Sequence, residues 1–220
     1  MLKKTGDASP IANEGYPFIG IAFLLVLIGW WIHPLLLVLF FGLFLFVVSF
    51  FRNPRRTPPT GDNLVVSPAD GKIIFLGEVD EGRILKRRLK KVSVFMSPLN
   101  VHVNRAPVNG VIKKVEYTQG KFFGAFSDKA SLDNEQNALV IESKKGDEIL
   151  FIQIAGFLAR RIVNYVRPGD HLNVAEIFGL IRFGSRMDIY FPLTYQFRVK
   201  VGDRVKAGES ILSILSEDLL

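Results

Sequence analysis

The N-terminal part of the chain is one long apolar run. Between Tyr16 and Phe51 there is no Asp, Glu, Lys or Arg, and His33 is the only readily ionisable side chain. As a single helix these 36 residues would be about 54 Å long, whereas the hydrocarbon core of a bilayer is about 30 Å thick. Pro34 disfavours helix in the residue before it, so the pattern predicts a helical hairpin. Its two legs are 17–32 and 35–51.

Basic residues flank this hairpin on both sides, with Lys3 and Lys4 before it and Arg52, Arg55 and Arg56 after it. By the positive-inside rule, both flanks lie in the cytoplasm. Residues 1–51 are therefore predicted to anchor the protein in the cell membrane, either crossing it twice or entering one leaflet. A signal peptide fits less well, because the run is too long and no small-residue cleavage site follows it.

The rest of the chain has the pattern of short β-strands. Residues 52–63 read as a linker stiffened by proline, and 64–220 as one domain. Short runs rich in Val, Ile and Phe alternate with Gly, Pro, Asn and Asp, which is typical of strands and turns. The predicted strands are 64–66, 72–79, 92–96, 111–117, 138–142, 148–154, 177–183, 187–191, 195–201 and 211–215. Residues 157–166 fit a short helix or another strand equally well.

Two internal repeats indicate a duplicated domain. Pro-Ala-Asp-Gly-Lys-Ile at 68–73 is echoed by Pro-Val-Asn-Gly-Val-Ile at 107–112, and the Gly-Asp turn at 169–170 by that at 202–203. Such steps supply turns between strands. The domain resembles the barrel-sandwich of biotinyl and lipoyl carrier domains. Their Met-Lys-Met carrier turn is absent, so the carrier function does not transfer.

The composition and the charge of the chain limit the kinds of partner that it can bind. The chain has no cysteine, so it can form neither disulfides nor thiolate metal sites. Charges cancel within residues 1–51, so the net charge of +7 belongs to 52–220 and suits anionic lipid. The basic cluster Lys86-Arg87-Arg88 fits a solvated hairpin end or a lipid contact. No nucleic-acid partner is expected, because no nucleic-acid-binding motif accompanies the cluster.

Gly184-Ser185 is the candidate reaction centre. A serine after glycine has an unobstructed carbonyl beside its hydroxyl, and the hydroxyl could attack that peptide bond if a base is near. Taken alone, Gly-Ser is more often an ordinary turn. Asp70 and His102 are the further candidates for a Ser-His-Asp arrangement, in which the carboxylate orients the imidazole. Taken alone, Asp70-Gly71 is more often simply a turn, and a lone His102 is more often an ordinary strand histidine.

Three motifs, "SPADG", "HVNRAPVNG" and "IRFGSRMDIYFP", occur in this order. Together they resemble the phosphatidylserine decarboxylase family, specifically its short bacterial branch. The resemblance implies a pyruvoyl enzyme that cleaves itself between Gly184 and Ser185. Chains 1–184 and 185–220 would stay associated, and Ser185 would become the pyruvoyl group. That group would form a Schiff base with phosphatidylserine and yield phosphatidylethanolamine, without an external cofactor or a metal.

The same resemblance implies roles for individual residues. Asp70 and Ser185 match the Asp and Ser of the family. Longer members carry two histidines in "H-x-x-H-x-P", whereas this chain has His102 at the first position and Arg105 at the second. Because arginine is not a base at neutral pH, either His102 serves both self-cleavage and decarboxylation or another group is the cleavage base.

Substrate contacts are less determined by the sequence. Arg105 and Arg186 fit either a carboxylate or phosphate of the substrate or a structural ion pair. The aromatic loop with Phe122 and Phe123 fits either a segment that dips into the bilayer or part of the core. A homodimer is expected only from the family resemblance. The alternatives are a decarboxylase of ether-linked phosphoserine lipids and a non-catalytic, membrane-tethered lipoyl-like adaptor.

Overall fold

The structure is a computed structural model that describes residues 6, 9–120, 134–156, 161–182 and 185–216. Two apolar helices come first, and β-strands make up nearly all of the regular structure that follows. The prediction of a mainly β chain behind an apolar helical hairpin is therefore confirmed. This architecture is consistent with the resemblance to biotinyl and lipoyl domains.

The helical hairpin begins with a 3-10 turn and breaks where proline was expected to break it. The elements are Asn13–Gly15 (3-10), α1 (Tyr16–Ile32) and α2 (Pro34–Phe50). His33 is extended, and its Nδ1 accepts a hydrogen bond from the backbone N of Leu35 at 3.1 Å, which caps α2. The helices are antiparallel neighbours, since the Phe23 and Phe44 rings lie 6.0 Å apart. A Cβ on Gly29 would lie 2.8 Å from the backbone N of Leu37, so this glycine permits their close contact.

Every predicted strand has a counterpart among the described strands. In chain order these are β1 (Leu64–Val66), β2 (Gly71–Glu81), β3 (Arg87–Met96), β4 (Val103–Arg105), β5 (Gly110–Thr118), β6 (Gln136–Ser143), β7 (Glu148–Ala155), β8 (Ile162–Asn164), β9 (His171–Leu172), β10 (Ile177–Ile181), β11 (Ser185–Phe191), β12 (Tyr195–Phe197), β13 (Arg204–Val205) and β14 (Ile211–Leu215). The predicted ends at 183 and 201 were too late, since β10 ends at Ile181 and β12 at Phe197. The undecided segment 157–166 contains the strand β8, and residues 157–160 lie outside the described ranges.

The strands form three antiparallel sheets. The large sheet has the order β13-β2-β3-β11-β7-β6-β5-β9, and the two small ones are β1-β14-β12 and β4-β10-β8. One face of the large sheet packs with the small sheets around a core that includes Ile73, Phe151, Phe178 and Phe191. Its other face carries a smaller apolar cluster around Tyr190.

The duplication predicted from the repeats is a property of the fold. Strands β4 to β10 follow one another in the chain and form one half. Strands β1, β2, β3, β11, β12, β13 and β14 form the other half with the same pairings, because β2–β13 matches β5–β9 and β1–β14–β12 matches β4–β10–β8. The first half is therefore inserted into the second, between β3 and β11.

Equivalent contacts support this symmetry at the level of single residues. The backbone N of Ile73 donates to the carbonyl of Asp203, and that of Ile112 to the carbonyl of Asp170, both at 2.9 Å. Ala175 and Gly208 occupy matching turns with φ of 65° and 75°. A Cβ on Gly208 would lie 2.6 Å from the Cβ of Ala175. The two turns therefore meet where the halves face each other.

The hairpin is fixed to the β-domain at its base. Phe50 and Phe51 are buried in one apolar cluster with Val101, Val103 and Leu180 of the domain. The hydroxyl of Tyr165 donates to the carboxylate of Glu14 at 2.6 Å. The base of the hairpin is therefore packed against the β-domain and is not joined to it only by a flexible tether.

The predicted linker has no helix or strand but is bound along the domain. Asn53 is buried, and its Oδ1 accepts a hydrogen bond from Arg105 at 2.6 Å. Arg56 makes two hydrogen bonds to the carboxylate of Asp70, at 2.8 and 2.9 Å. Proline stiffness is thus only part of what holds residues 52–63.

Candidate active site

Ser185 is the first residue of β11, and it lies between β3 and β7. It is opposite Met96 on one side and Ala155 on the other, and it is fully buried. Its hydroxyl donates to the sulfur of Met96 at 3.2 Å. A thioether is a weak acceptor, so within the described part of the chain the oxygen of Ser185 is held only weakly. Its neighbour Gly184, the other half of the candidate cleavage site, lies outside the described residues.

A chain of buried amides leads to this serine. The Nδ2 of Asn137 donates to the Oε1 of Gln153 at 2.8 Å, and the Nε2 of Gln153 donates to the Oδ1 of Asn104 at 2.9 Å. The Nδ2 of Asn104 then points to the sulfur of Met96 at 3.8 Å, the same atom that Ser185 contacts. Such fully buried polar networks hold a fixed geometry when every member is bonded. The last donor of this amide network, the Nδ2 of Asn104, has among the described residues a weak acceptor, the sulfur of Met96, as its partner.

The sequence reasoning missed these amides as site residues. Asn104 lies within a quoted motif, so its position gave a signal. Asn137 and Gln153 gave only a faint one, since each is a polar residue next to an apolar run of its strand. Their convergence depends on the pairing of β6 with β7 and cannot be read along the chain.

His102 lies just before β4, which pairs with β10 a few residues before Ser185 in the chain. Its carbonyl accepts from the backbone N of Ile181 at 3.3 Å, and its ring is buried. The Nδ1 is 2.9 Å from the carbonyl of Asn100. A carbonyl can only accept, so Nδ1 carries the proton and the Nε2 of the neutral ring has a lone pair. Within the described part of the chain, that Nε2 is buried without a hydrogen-bond partner.

The environment keeps this imidazole neutral. Burial lowers the pKa of His102 to about 4, the hydrogen bond to Asn100 opposes this shift, and the positive charge of Arg52 adds to it. At neutral pH the ring is therefore a base with a free Nε2. This is the state that a proton acceptor for a serine hydroxyl requires.

Asp70 is bound elsewhere in the structure. Its carboxylate pairs with Arg56, and its Oδ1 accepts from the backbone N of Ala207 at 2.8 Å. In the other half, Asn109 accepts from the backbone N of Val174 at the same distance. The position thus has a structural task that an amide fulfils equally well. No hydrogen bond joins Asp70 to His102 in the described ranges, where the ring has Asn100 as its partner.

The two candidate substrate-binding arginines have different surroundings. Arg186 follows Ser185 in β11, so its side chain projects from the opposite face of the sheet. There its Nε lies 2.9 Å from the Oδ1 of Asp188. This favours the ion pair among the two interpretations that the sequence left open.

Arg105 is buried, and its Nη1 donates to the carbonyl of Ala175 at 2.8 Å. Together with Arg55 and Arg56 it lines a cavity of about 570 Å³. Phe122 and Phe123 lie outside the described residues, so the structure does not bear on the aromatic loop. In the described ranges no group of three His, Asp or Glu side chains is placed to hold a metal ion.

Fold and site together define a class: a duplicated, mainly β protein with a buried serine at the end that carries an apolar helical hairpin. Comparisons with known proteins then give the family. The family model described as phosphatidylserine decarboxylase matches residues 43–213. The chain therefore belongs to the phosphatidylserine decarboxylase family, which is a family of enzymes.

Similar proteins cover almost the whole chain. A protein from Geotalea uraniireducens (strain Rf4), named phosphatidylserine decarboxylase proenzyme, is 47% identical over 94% of this chain and 97% of its own length. Proteins of the same name from Citrifermentans bemidjiense and Geobacter sulfurreducens are 49% and 47% identical over 94% and 95% of this chain, and over 97% and 98% of their own lengths. The word proenzyme places these relatives among proteins that are made as precursors.

Proposed function

We propose that this chain converts phosphatidylserine to phosphatidylethanolamine with a pyruvoyl group that it makes from Ser185. The observation that carries the proposal is the state of this serine. It is fully buried at the start of a central strand, and among the described residues its hydroxyl has a thioether as its partner. The family and the names of the relatives supply the substrate.

Self-cleavage would begin at the bond between Gly184 and Ser185. The Oγ of Ser185 attacks the carbonyl carbon of Gly184, the C–N bond breaks, and an ester links the two residues. Loss of the Cα proton then breaks the Cβ–Oγ bond and leaves a carboxylate on Gly184. Water replaces the nitrogen of residue 185, which leaves as ammonia, and a ketone remains. Each proton removal needs a base, and the Nε2 of neutral His102, which is buried without a partner among the described residues, would be that base.

The surroundings of Ser185 fit a pyruvoyl group. Such a group supplies a carbonyl that binds the amine of the substrate covalently and accepts the electron pair left when carbon dioxide departs. Asn104 and Ser185 are both fully buried, and among the described residues the Nδ2 donor of Asn104 has the sulfur of Met96 as its partner. That donor would bind an oxygen of the group or of the substrate. After carbon dioxide departs, His102 would hold the proton that returns to the carbon of the substrate.

The position of the cut also explains how two chains would remain together. After cleavage, residues 185–220 would still contribute β11 between β3 and β7. They would also contribute β14 between β1 and β12. Backbone hydrogen bonds on both sides of β11 would hold the fragment in the fold.

Intact-mass analysis of the purified chain tests the proposal. We expect a fragment 185–220 whose mass is lower than that of the serine form by one ammonia, together with conversion of phosphatidylserine to phosphatidylethanolamine. A chain that stays whole and leaves the lipid unchanged would refute the proposal and favour a tethered adaptor. A chain that stays whole but converts the lipid would refute the pyruvoyl route alone.

The hairpin would anchor the enzyme in the bilayer, with the β-domain on the cytoplasmic side. The stretch Asn13–Ile32 has a mean hydropathy of 2.0 and is long enough to cross a membrane, and α2 is slightly shorter. Apolar side chains of both helices face outward, and the tip carries Trp30 and Trp31, which are 73% and 91% exposed. Helices of this length reach about 25 Å, which brings the tip close to the far headgroup region. Tryptophan favours that region, so we propose that the hairpin crosses the bilayer.

Tryptophan fluorescence tests this topology directly, because Trp30 and Trp31 are the only tryptophans in the sequence. In vesicles, we expect quenchers placed near the headgroups to reduce the emission more than quenchers at the bilayer centre. The reason is that indole N–H groups find hydrogen-bond partners at the interface and none in the hydrocarbon. The opposite order of quenching would show a hairpin that enters only one leaflet. Wild-type protein in detergent without quencher is the reference.

A further inference from the structure

The membrane hairpin and the candidate base are in direct contact. The ring of Phe50, the last residue of α2, stacks on the imidazole of His102 with centroids 4.0 Å apart and an angle of 26° between the planes. Both side chains are 1% exposed. This contact closes one face of the imidazole to water. It comes from the anchor and not from the β-domain.

Several contacts fix Phe50 in this position. Phe51 packs edge-on against it at 5.0 Å and stacks on Phe18 of α1 at 5.4 Å. Next to them, the Nη2 of Arg52 donates to the carbonyl of Leu99 at 3.0 Å. The base of the hairpin therefore holds both the ring above His102 and the loop that leads to it.

The loop before His102 is rigid for its own reasons. The Oδ1 of Asn100 accepts from the backbone N of Ser97 at 2.9 Å and from its hydroxyl at 2.8 Å, which closes a turn. The carbonyl of Asn100 then receives the Nδ1–H of His102. The ring is thus held by the loop at one edge and by Phe50 on one face, while its Nε2 remains free.

We propose that Phe50 is a positioning residue for His102, so that the membrane anchor is a structural part of the reaction centre. The inference rests on the proposed function of His102 as the base and names a further residue on which that function depends. The anchor would then do more than hold the enzyme near its substrate. Removing or displacing it would change the chemistry at Ser185 as well.

The charges around the ring determine the expected pH effect. Arg52 is the charged residue that acts on the imidazole from the hairpin. Arg182 follows the end of β10. Its guanidinium lies 5.3 Å from the Phe18 ring and interacts electrostatically with Arg161 and Glu14. The loop 97–101 and β4 up to Asn104 carry no charge. Loss of Phe50 lets water reach the ring, so the pKa of His102 moves up from about 4 towards its ordinary value.

Three variants of the full-length chain in detergent test the proposal, with a short-chain phosphatidylserine as substrate so that bilayer anchoring is not needed. In Phe50→Leu, the acid limb of the self-cleavage and activity profiles should move up by at least one pH unit, which is about a tenfold loss on that limb. Phe50→Tyr, which keeps a ring, should restore the wild-type profile. Phe41→Leu changes an exposed residue of the same helix and should have no effect. If the profile of Phe50→Leu coincides with that of Phe41→Leu, the proposal is wrong.

Nuclear magnetic resonance of the wild-type protein gives a second test that does not depend on how a variant folds. The sequence has three histidines, and His102→Gln identifies the signal of His102. We expect this signal to be shifted by the ring current of Phe50 and to titrate near pH 4 with Nδ1 protonated in the neutral form. A His102 signal that titrates near the ordinary histidine value of about 6.5 and lacks the ring-current shift would overturn the inference.

The two levels of the proposal can fail separately. If the wild-type chain neither cleaves itself nor acts on the lipid, the proposed function fails whatever the resonance experiment shows. If the wild type is active and Phe50→Leu keeps its pH profile, only the role of Phe50 fails.

Discussion

Replacing Ser185 with Ala should give a single uncut chain without decarboxylase activity. The variant removes the nucleophile and the atoms from which the ketone would form, so activity should fall by at least about 10⁴-fold. The fold should survive. Among the described residues the hydroxyl has the sulfur of Met96 as its partner, and losing so weak a hydrogen bond costs less than about 1 kcal/mol. Gel electrophoresis and intact mass would show the uncut chain.

Ser213 offers a matched control for this substitution. It is fully buried in β14, and its hydroxyl has no hydrogen-bond partner among the described residues. Ser213→Ala should therefore cleave itself and act like the wild type. Fragment 185–220 appearing in Ser185→Ala would contradict the mechanism, since the cut would then need no serine hydroxyl.

The strand pattern predicted most of the fold because it is a local property. Alternating and apolar runs identified ten strands, and two sequence repeats indicated the two halves. The strands that escaped prediction are β4, β9 and β13, which have two or three residues. Such short strands show no periodicity, and they exist because a longer strand such as β2 or β5 pairs with them.

The nesting of the halves and the docking of the linker could not be read from the pattern. Both depend on contacts between distant residues, as in the bond from Arg105 to Asn53. A proline-rich segment reads as a spacer, whereas Asn53 of this segment is buried. Similarly, His102 and Ser185 were predicted as partners through the family motifs, but the stacking of Phe50 on His102 joins segments that the sequence assigns to different domains.

The structure changes how Asp70 is understood. Gly71 follows it, and a Cβ there would collide with the carbonyl oxygen of Phe95, the neighbour of Met96. Asp70, held by Arg56 and by the backbone N of Ala207, thus fixes the start of β2 against the end of β3, where Ser185 is bound. It therefore has a way to support the reaction without touching His102. A direct role for its carboxylate in proton transfer remains the alternative.

Asp70→Asn separates charge from shape at this position. The amide oxygen can still accept from the backbone N of Ala207, as Asn109 does from Val174 in the other half. The ion pair with Arg56 is lost. The pair is mostly buried, with side chains 6% and 13% exposed, and breaking a buried pair costs about 3 kcal/mol. We expect the variant to fold with lower stability and to cleave itself at least about 100-fold more slowly, measured as the appearance of fragment 185–220 with time.

Two further variants identify the cause of such a loss. Asn109→Asp is the mirror change in the other half and should cleave at the normal rate, since its turn begins β5, which pairs with β6 and β9 and not with β11 or β3. Arg56→Gln removes the partner of the ion pair and leaves the carboxylate of Asp70 in place. If Arg56→Gln is as slow as Asp70→Asn, Asp70 acts by fixing the linker and the start of β2. If Arg56→Gln cleaves normally while Asp70→Asn does not, the carboxylate itself takes part in the reaction. If Asp70→Asn also cleaves normally, the only role of Asp70 is to stabilise its turn.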